Sequence, residues 1–258
     1  MRMLSLLVGV ICTALIVPIF IVIILAFSGG EFLQFPPPSF SLRWFAAFFG
    51  SPGWRAALWS SLEIAVIAGV IATTIGFFAA YALVRGAFGA KRTMLSLLLL
   101  PMIVPTVITS VAMYFLSARI GLIGNPVWVG TCHAVVALPV VVLILLSTLQ
   151  TVDPNLERAA LGLGCSRAQV LRRVVVPIAA PGLISAALFA FLTSFDELII
   201  SLFITDVSTQ TLPVRIWNSL HLDVEPVIAA VSTFLIGVTG LVLMLDAVLR
   251  RRRPAART

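Results

Sequence analysis

Two adjacent carboxylates stand inside an apolar stretch of this chain. The segment SFDELIISLFIT (residues 194–205) contains Asp196 and Glu197 but no lysine or arginine. An ionised side chain near the centre of a bilayer costs about 2.5–3.5 kcal/mol or more, so acids in such segments are candidates for function. Their chemistry would be to compensate a cation such as a substrate ammonium group, or to accept a hydrogen bond from a neighbouring subunit.

Neighbouring side chains extend this candidate site. On a continuous helix, Asp196 would share a face with Phe189 and Thr193, whereas Glu197 would lie among small and polar side chains. Aromatic faces attract ammonium groups, so we rank Asp196 first and Glu197 second as parts of a cation-sensing surface. Hydrogen bonding of either acid to a second subunit is the alternative. Further candidates for a substrate pathway are Thr193, Phe195 and Glu63.

Two other acids lie within apolar segments. Glu63 belongs to the outer part of its segment, and the sequence leaves open whether it borders the pathway or pairs with an external arginine. Asp246 has Arg250 four residues on, so an ion pair on one helix face is expected.

The histidines, cysteines and glycines predict no catalytic, metal or nucleotide site. His133 and His221 indicate neither a His-based metal cluster nor a Ser–His arrangement, which counts against an intramembrane enzyme. The three cysteines lack a metal-ligand spacing, and we interpret them as inert small residues. The segment VRGAFGAKRT lacks the glycine spacing of a nucleotide-binding loop, so ATP is expected on another chain.

The elements that position these residues are membrane helices. The chain has 258 residues, is 60% hydrophobic and 10% charged, and has a mean hydropathy of +1.14. About 20 apolar residues are needed to cross a bilayer, and runs of this length predict an all-α polytopic membrane protein with six transmembrane helices in a single domain, residues 1–258. The first run exceeds a signal-peptide core and is expected to be a retained span. The predicted spans are residues 4–27, 57–84, 94–117, 127–149, 183–204 and 227–249.

Basic residues are distributed unequally between the two sides of these spans. With the N-terminus inside, 13 of the 17 lysines and arginines are cytoplasmic and 4 are external. The positive-inside rule therefore predicts cytoplasmic N- and C-termini. Attraction of these cations to the anionic inner face of the lipid bilayer accounts for the net charge of +7, so no nucleic-acid partner is expected.

Residues 150–182, between the fourth and fifth spans, are predicted to form a cytoplasmic loop with its own helices. In DPNLERAALGLG, Asp153 is the expected N-cap, Pro154 the first helical residue and Gly164 the terminating residue. This helix of about ten residues is too short to span. A second capped helix is predicted from Ser166, ending at two prolines before the fifth span.

Small residues in this loop give it a specific resemblance. The loop resembles the EAA loop of binding-protein-dependent ABC importer permeases, whose pattern is Glu-Ala-Ala, three residues, Gly, nine residues, then Ile-x-Leu-Pro. Ala159, Ala160, Gly164 and Pro177 fall in that register. Such a surface lets a partner approach closely, whereas a helix resting on lipid headgroups is the alternative interpretation.

Besides Val174 and Val176, which replace the Ile and Leu of the motif, the sequence departs from the family pattern at the glutamate. Arg158 occupies the place of the motif glutamate, and Glu157 is displaced by one residue. The resemblance implies that the whole loop, including these two residues, couples to the ATPase as a helix that fits a cleft on that subunit. The departure puts in doubt the electrostatic contact usually assigned to the glutamate.

The resemblance covers essentially the whole chain and implies its fold and partners. It implies a MetI-like, type I importer permease of the bacterial inner membrane, which is not itself an enzyme and binds no cofactor. The implied partners are a cytoplasmic ABC ATPase dimer carrying ATP and magnesium, a second permease subunit that is a paralogue, and a periplasmic substrate-binding protein.

Within that family, three segments resemble the spermidine/putrescine-type subfamily. They are SFDELIISLFIT, PMIVP and LQTVDPNLERAALGLG. A small cationic solute such as a polyamine is therefore the implied substrate, and opines, other amines or aminophosphonates are the alternatives. An ion-coupled secondary transporter would also place acids inside spans, but the docking loop and the lack of an evident inverted repeat count against it.

Overall fold

The chain divides into two compact units of helices. The structure, a computed structural model, describes residues 2–222 and 225–251. One unit comprises residues 1–59 and 212–241, and the other comprises residues 60–211 and 242–258. The α-helices, in chain order, are α1 (Arg2–Ala26), α2 (Arg43–Gly50), α3 (Pro52–Arg85), α4 (Lys91–Leu99), α5 (Thr106–Ile120), α6 (Pro126–Gln150), α7 (Pro154–Gly162), α8 (Arg167–Val170), α9 (Val176–Phe195), α10 (Ile199–Ile204), α11 (Leu212–Leu222) and α12 (Val227–Arg251).

Five helical segments within the described residues are long and apolar enough to cross a membrane. They are most of α1, α3, α6, the segment Arg167–Phe195 that ends with α9, and most of α12. Helices α4 and α5 add a sixth span if this bent pair counts as one. In this form the predicted six-span, all-α architecture, with the short helix α7 between the fourth and fifth spans, is confirmed.

The third predicted span, residues 94–117, is not one continuous helix. Helix α4 passes into a 3₁₀ turn (Leu100–Met102), and α5 begins directly after Pro105, so that the two helical parts are bent by 95°. Proline removes a backbone N–H and disfavours helical geometry at the preceding residue. Pro101 and Pro105 therefore break this span rather than merely bending it.

The fifth predicted span, residues 183–204, begins earlier and ends earlier than expected. Helix α8 continues through a π-helical turn (Leu171–Val175) into α9, where the Val176 N–H donates to the Leu171 carbonyl five residues back. Pro177 lies in the first turn of α9, where its missing N–H is tolerated. The prediction that the prolines separate the loop from the span is therefore wrong. The helix break falls instead at residues 196–198.

Small residues bring α6 and α9 close together within the larger unit. Ala137 of α6 and Ala186 and Ala190 of α9 are fully buried. A Cβ atom on Gly182 of α9 would collide with the side chain of Thr148 on α6. Since small residues let membrane helices approach each other, this interface fixes α9 against α6 up to the level of the break.

Two polar contacts anchor neighbouring parts of the same unit. Ser185 of α9 donates a hydrogen bond to the Asp246 carboxylate of α12. The ion pair predicted for Asp246 involves Arg250, a residue of α12 whose side chain is not among those that the structure describes. The second contact is at the C-terminal end of α10, where the Gly124 N–H donates to the Ile204 carbonyl at 2.9 Å. This hydrogen bond joins α10 to the loop before α6.

The smaller unit is organised around aromatic side chains. Phe48 of α2 is fully buried, and its ring centroid lies 6.1 Å from that of Trp54 and 5.5 Å from that of Phe234 on α12. The Arg215 guanidinium lies over the Trp54 ring at 4.8 Å from its centroid. Aromatic and cation–π contacts therefore supplement simple apolar burial in this unit.

Candidate functional site in the coupling loop and the broken helix

The first helix of the loop formed by residues 150–182 is capped at both ends as the sequence predicts. The Asp153 carboxylate accepts from the Asn155 N–H at 2.9 Å, and Pro154 is the first residue of α7. At the other end, Gly164 has φ +89°, and the Cys165 N–H donates to the Ala160 carbonyl at 3.1 Å. This arrangement is a Schellman motif, which needs a residue that tolerates positive φ.

The second capping prediction is also confirmed. The Gln169 side chain accepts from the Ser166 N–H at 2.8 Å, and the Gln169 N–H donates to the Ser166 hydroxyl at 3.4 Å. Since α8 continues into α9, the loop is mechanically continuous with a membrane-spanning helix.

The residues assigned to ATPase coupling fall on two sides of α7. Arg158, Ala159 and Gly164 are exposed, and Pro177 is exposed at the start of α9. Ala160 is half-buried against the core of the larger unit. Ala159 and Gly164 are the small exposed residues next to Arg158, named here the small-residue surface, and Leu161 and Leu163 between them in the sequence are also exposed.

Glu157 points away from that surface. It is buried, and its carboxylate accepts from the Arg85 guanidinium (Nε to Oε1, 2.7 Å) and from the Tyr81 hydroxyl (to Oε2, 2.9 Å). Arg85 Nη2 also donates to the Val152 carbonyl at 2.6 Å. The sequence gives no signal that Arg85 and Tyr81 contact Glu157, since they lie over 70 residues away from it. Within this chain, Glu157 binds α3 and does not present its charge at the exposed surface.

The predicted acid pair occupies a break between two helices. Asp196 is the C-cap residue of α9, and α10 begins three residues later. The Glu197 carboxylate accepts hydrogen bonds from the Ile199 and Ile200 N–H groups, each at 3.0 Å. The expectation that both acids lie on one continuous helix is therefore wrong, because Glu197 folds back to cap α10.

The two acids differ in what surrounds their carboxylates. Glu197 is half-buried and uses one oxygen on backbone donors. Asp196 is exposed, and within residues 2–222 and 225–251 no donor to its carboxylate is found. Asp196 is thus the carboxylate of this pair that has room for an external cation.

The other pathway candidates lie in different environments. The Thr193 hydroxyl donates to the Phe189 carbonyl at 3.0 Å on the half-exposed face of α9. Phe195 is 2% exposed and stacks on Phe191 with 5.4 Å between ring centroids, so its ring packs inside this chain. Glu63 is exposed on α3, and within the described part of the chain no salt bridge to it is found. The structure does not bring Glu63 together with Asp196 by any contact that it shows.

A buried histidine holds both sides of the break. His133 of α6 is 1% exposed, with Nδ1 at 2.8 Å from the Ser194 hydroxyl of α9 and Nε2 at 3.1 Å from the Ser201 hydroxyl of α10. The expectation that no Ser–His arrangement exists is therefore wrong. All three side chains are buried, which leaves no access for a substrate to a serine nucleophile. The sequence offered no signal for this contact, because it joins residues more than 60 positions apart.

Removal of either serine hydroxyl should weaken the folded state. Ser194→Ala or Ser201→Ala leaves one nitrogen of a buried imidazole without a partner, so we expect a loss of about 1–3 kcal/mol in the free energy of unfolding. Thermal or denaturant unfolding of the purified chain in detergent measures this loss. Ser110→Ala is the matched control, because that buried hydroxyl bonds only to a carbonyl of its own helix. Equal stability of all three variants would contradict the role of His133.

The fold is that of an all-α membrane protein with a short capped helix, α7, between its fourth and fifth spans. Residues 72–254 match the family described as the binding-protein-dependent transport system inner membrane component. The match covers more than half of the chain, and the chain belongs to this family. It is therefore a permease subunit of an ATP-driven importer of the ABC class, and a multi-pass protein of the inner membrane.

Individual relatives and solved structures agree with this assignment. The chain is 28% identical over 239 residues to the spermidine/putrescine transport system permease protein PotC of Haemophilus influenzae, covering 92% of each chain. It is 29% identical over 239 residues to the putrescine transport system permease protein PotI of Escherichia coli K12, covering 89% of this chain and 84% of PotI. A crystal structure of a bacterial ABC transporter that imports the polysaccharide alginate is similar in fold, with a TM-score of 0.74, 13% identity, and coverage of 98% and 96%.

Proposed function

We propose that this chain forms half of the translocation pathway for a polyamine of the spermidine/putrescine type. The observation that carries the proposal is Asp196, an exposed carboxylate at the break of an apolar segment, with no protein donor among the described residues. An ammonium group would compensate its charge. The substrates in the names of PotC and PotI support the same class of solute.

The alternative substrates differ in charge from a polyamine. Opines and aminophosphonates carry anionic groups in addition to an amine, and these groups would need a basic partner near the break. Residues 194–205 contain no lysine or arginine, which favours a solute that is cationic only. Other small amines fit the same site, and chain length or the number of charges would distinguish them.

The substrate class is tested by uptake with competitors. Cells without polyamine uptake of their own, expressing the complete transporter, should accumulate labelled putrescine or spermidine. Unlabelled dicationic amines should compete, whereas an opine or an aminophosphonate at equal concentration should not. Transport of the aminophosphonate without transport of either polyamine would contradict the proposal.

The proposed partners follow from the exposed surface on α7 and from family membership. A cytoplasmic ABC ATPase dimer, with ATP and magnesium bound to it and not to this chain, docks on Ala159 and Gly164. A second, paralogous permease completes the pathway, and a periplasmic binding protein delivers the substrate. Purification in mild detergent, followed by identification of the co-purifying subunits, tests this set.

We further propose that both termini face the cytoplasm. The unequal distribution of basic residues supports this orientation. In a background without the three native cysteines, single cysteines at positions 89 and 166 should be protected from an impermeant thiol reagent in cells with a permeable outer membrane and an intact inner membrane. Cysteines at positions 30 and 221 should be labelled. Labelling at 166 together with protection at 30 would reverse the orientation.

A further inference from the structure

Helix α7 has a polar attachment to α3 that the docking surface does not use. Glu157 of α7 accepts from Arg85 at 2.7 Å and from Tyr81 at 2.9 Å, so both of its carboxylate oxygens have donors from α3. Tyr81 and Arg85 are four residues apart and lie on one face of that helix. The same guanidinium donates to the Val152 carbonyl at 2.6 Å, immediately before α7.

This attachment lies where apolar packing between α7 and α3 is incomplete. A cavity of about 800 Å³ adjoins the ion pair, and its lining includes Ala82, Leu161 and Arg167 together with the paired side chains. The side chains of Arg85 and Glu157 are 19% and 11% exposed, so water and salt screen their attraction less than that of a surface pair. Polar contacts, rather than close packing, therefore join α7 to the end of α3 on this side.

The loop is joined to a second membrane helix by a different route. Helix α8 continues through the π-helical turn into α9, so the backbone itself carries a displacement of the loop to α9. No backbone continuity of this kind connects α7 to α3, which are separated by more than 60 residues. A displacement of α7 can reach α3 only through side-chain contacts.

We propose that Arg85 and Glu157 form a latch through which movement of α7 is transmitted to α3. Arg85 is a positioning residue in this arrangement, because it acts through Glu157 of α7. The inference rests on the proposed docking of the ATPase on α7. It assigns Glu157 to transmission inside this chain and leaves the exposed small residues to contact the partner.

Two probes separate transmission from docking in the complete complex. In a background without native cysteines, a cysteine replaces Leu163, which is 86% exposed beside α7, or Ala87, which is exposed two residues after α3. Each cysteine is labelled with an environment-sensitive fluorophore. Because position 163 adjoins Gly164, the ATPase is first shown to co-purify with each labelled complex, and the response to ATP and magnesium with vanadate is then recorded. In the otherwise unchanged complex, both probes should respond.

Breaking the latch should silence one probe and spare the other. In Glu157→Gln and Arg85→Gln, the fluorescence response at position 87 should fall by about fivefold or more, which is the lower end of typical coupling factors. The fluorescence response at position 163 should persist. Tyr81→Phe removes one hydrogen bond and should have a smaller effect. Arg92→Gln, which neutralises an exposed arginine of α4, is the matched control and should change neither response.

The charge swap Arg85→Glu with Glu157→Arg tests whether the ion pair itself, rather than either side chain alone, accounts for the response at position 87. It should restore part of the response at position 87, since the ion pair re-forms but the bond to the Val152 carbonyl does not. An unchanged response at 87 in all the single variants overturns the proposal. If the single variants fail to assemble, a swapped complex that assembles without the response at 87 also overturns it. Silence of both probes in the unmodified complex would instead contradict ATPase docking on α7.

Discussion

Asp196→Asn is expected to lower the uptake of a dicationic substrate by about tenfold or more. Interactions with a charged group contribute about 1.5–3 kcal/mol, and 1.4 kcal/mol corresponds to a factor of ten. Asparagine keeps the shape of the side chain and removes its charge. Because Asp196 is exposed and its carboxylate has no donor within the described residues, assembly and basal ATP hydrolysis should persist. Labelled polyamine uptake and ATPase assays on the same preparation measure both.

Glu197 provides the matched control for this charge deletion. In Glu197→Gln the amide oxygen can still accept from the Ile199 and Ile200 N–H groups, so the cap of α10 is kept while the charge is lost. Uptake should therefore fall less than in Asp196→Asn. Unchanged uptake in both variants would contradict the site, and loss of assembly in Asp196→Asn would make that acid structural.

The helix break that separates these two acids was not predictable from local sequence. Residues 194–205 contain no glycine or proline, and the run is apolar enough to continue a membrane helix. The break depends on Glu197 turning back onto the N–H groups of α10, and on His133, which holds a serine on each side. The Glu197 contacts are local, but those of His133 join residues more than 60 positions apart, and helical periodicity reports neither kind of contact.

Local chemistry predicted the helix caps in residues 150–182 well, but it did not predict the direction in which Glu157 points. The caps at Asp153 and Ser166 depend only on residues two or three positions away, and both were found as expected. The direction of Glu157 depends on Arg85, the last residue of α3. Spacing placed Glu157 in the first helix of the loop, where the structure has it, but a motif cannot show which face of a short helix is turned inward.

The effects of prolines within the spans differ with their position. Pro101 and Pro105 lie four residues apart in one run, and together they interrupt it. Pro139 of α6 lies inside a helix that continues from Pro126 to Gln150. Neighbouring helices can satisfy the carbonyl that a single proline frees, whereas two prolines four residues apart remove two N–H donors within about one helical turn.

Gly164→Trp is expected to abolish most of the co-purification of the ATPase and most uptake. Gly164 has φ +89°, a conformation that costs other residues roughly 1–2 kcal/mol, and it closes the Schellman motif at the end of α7. Open space surrounds a Cβ at this position, so an indole would project into solvent beside the exposed Ala159. There it would hold a docking protein away from the small-residue surface.

Comparison of three variants separates steric obstruction of docking from backbone strain. Gly164→Ala introduces the strain with little bulk and should retain most co-purification, whereas Gly164→Trp introduces both. Gly89→Trp places the same side chain at an exposed glycine between α3 and α4, where a Cβ also meets nothing within 4 Å. This variant should leave co-purification of the ATPase unchanged. Equal losses in Gly164→Ala and Gly164→Trp would assign the effect to strain. Normal co-purification and uptake in Gly164→Trp would show that α7 does not dock through this surface, because an indole there leaves no room for close approach.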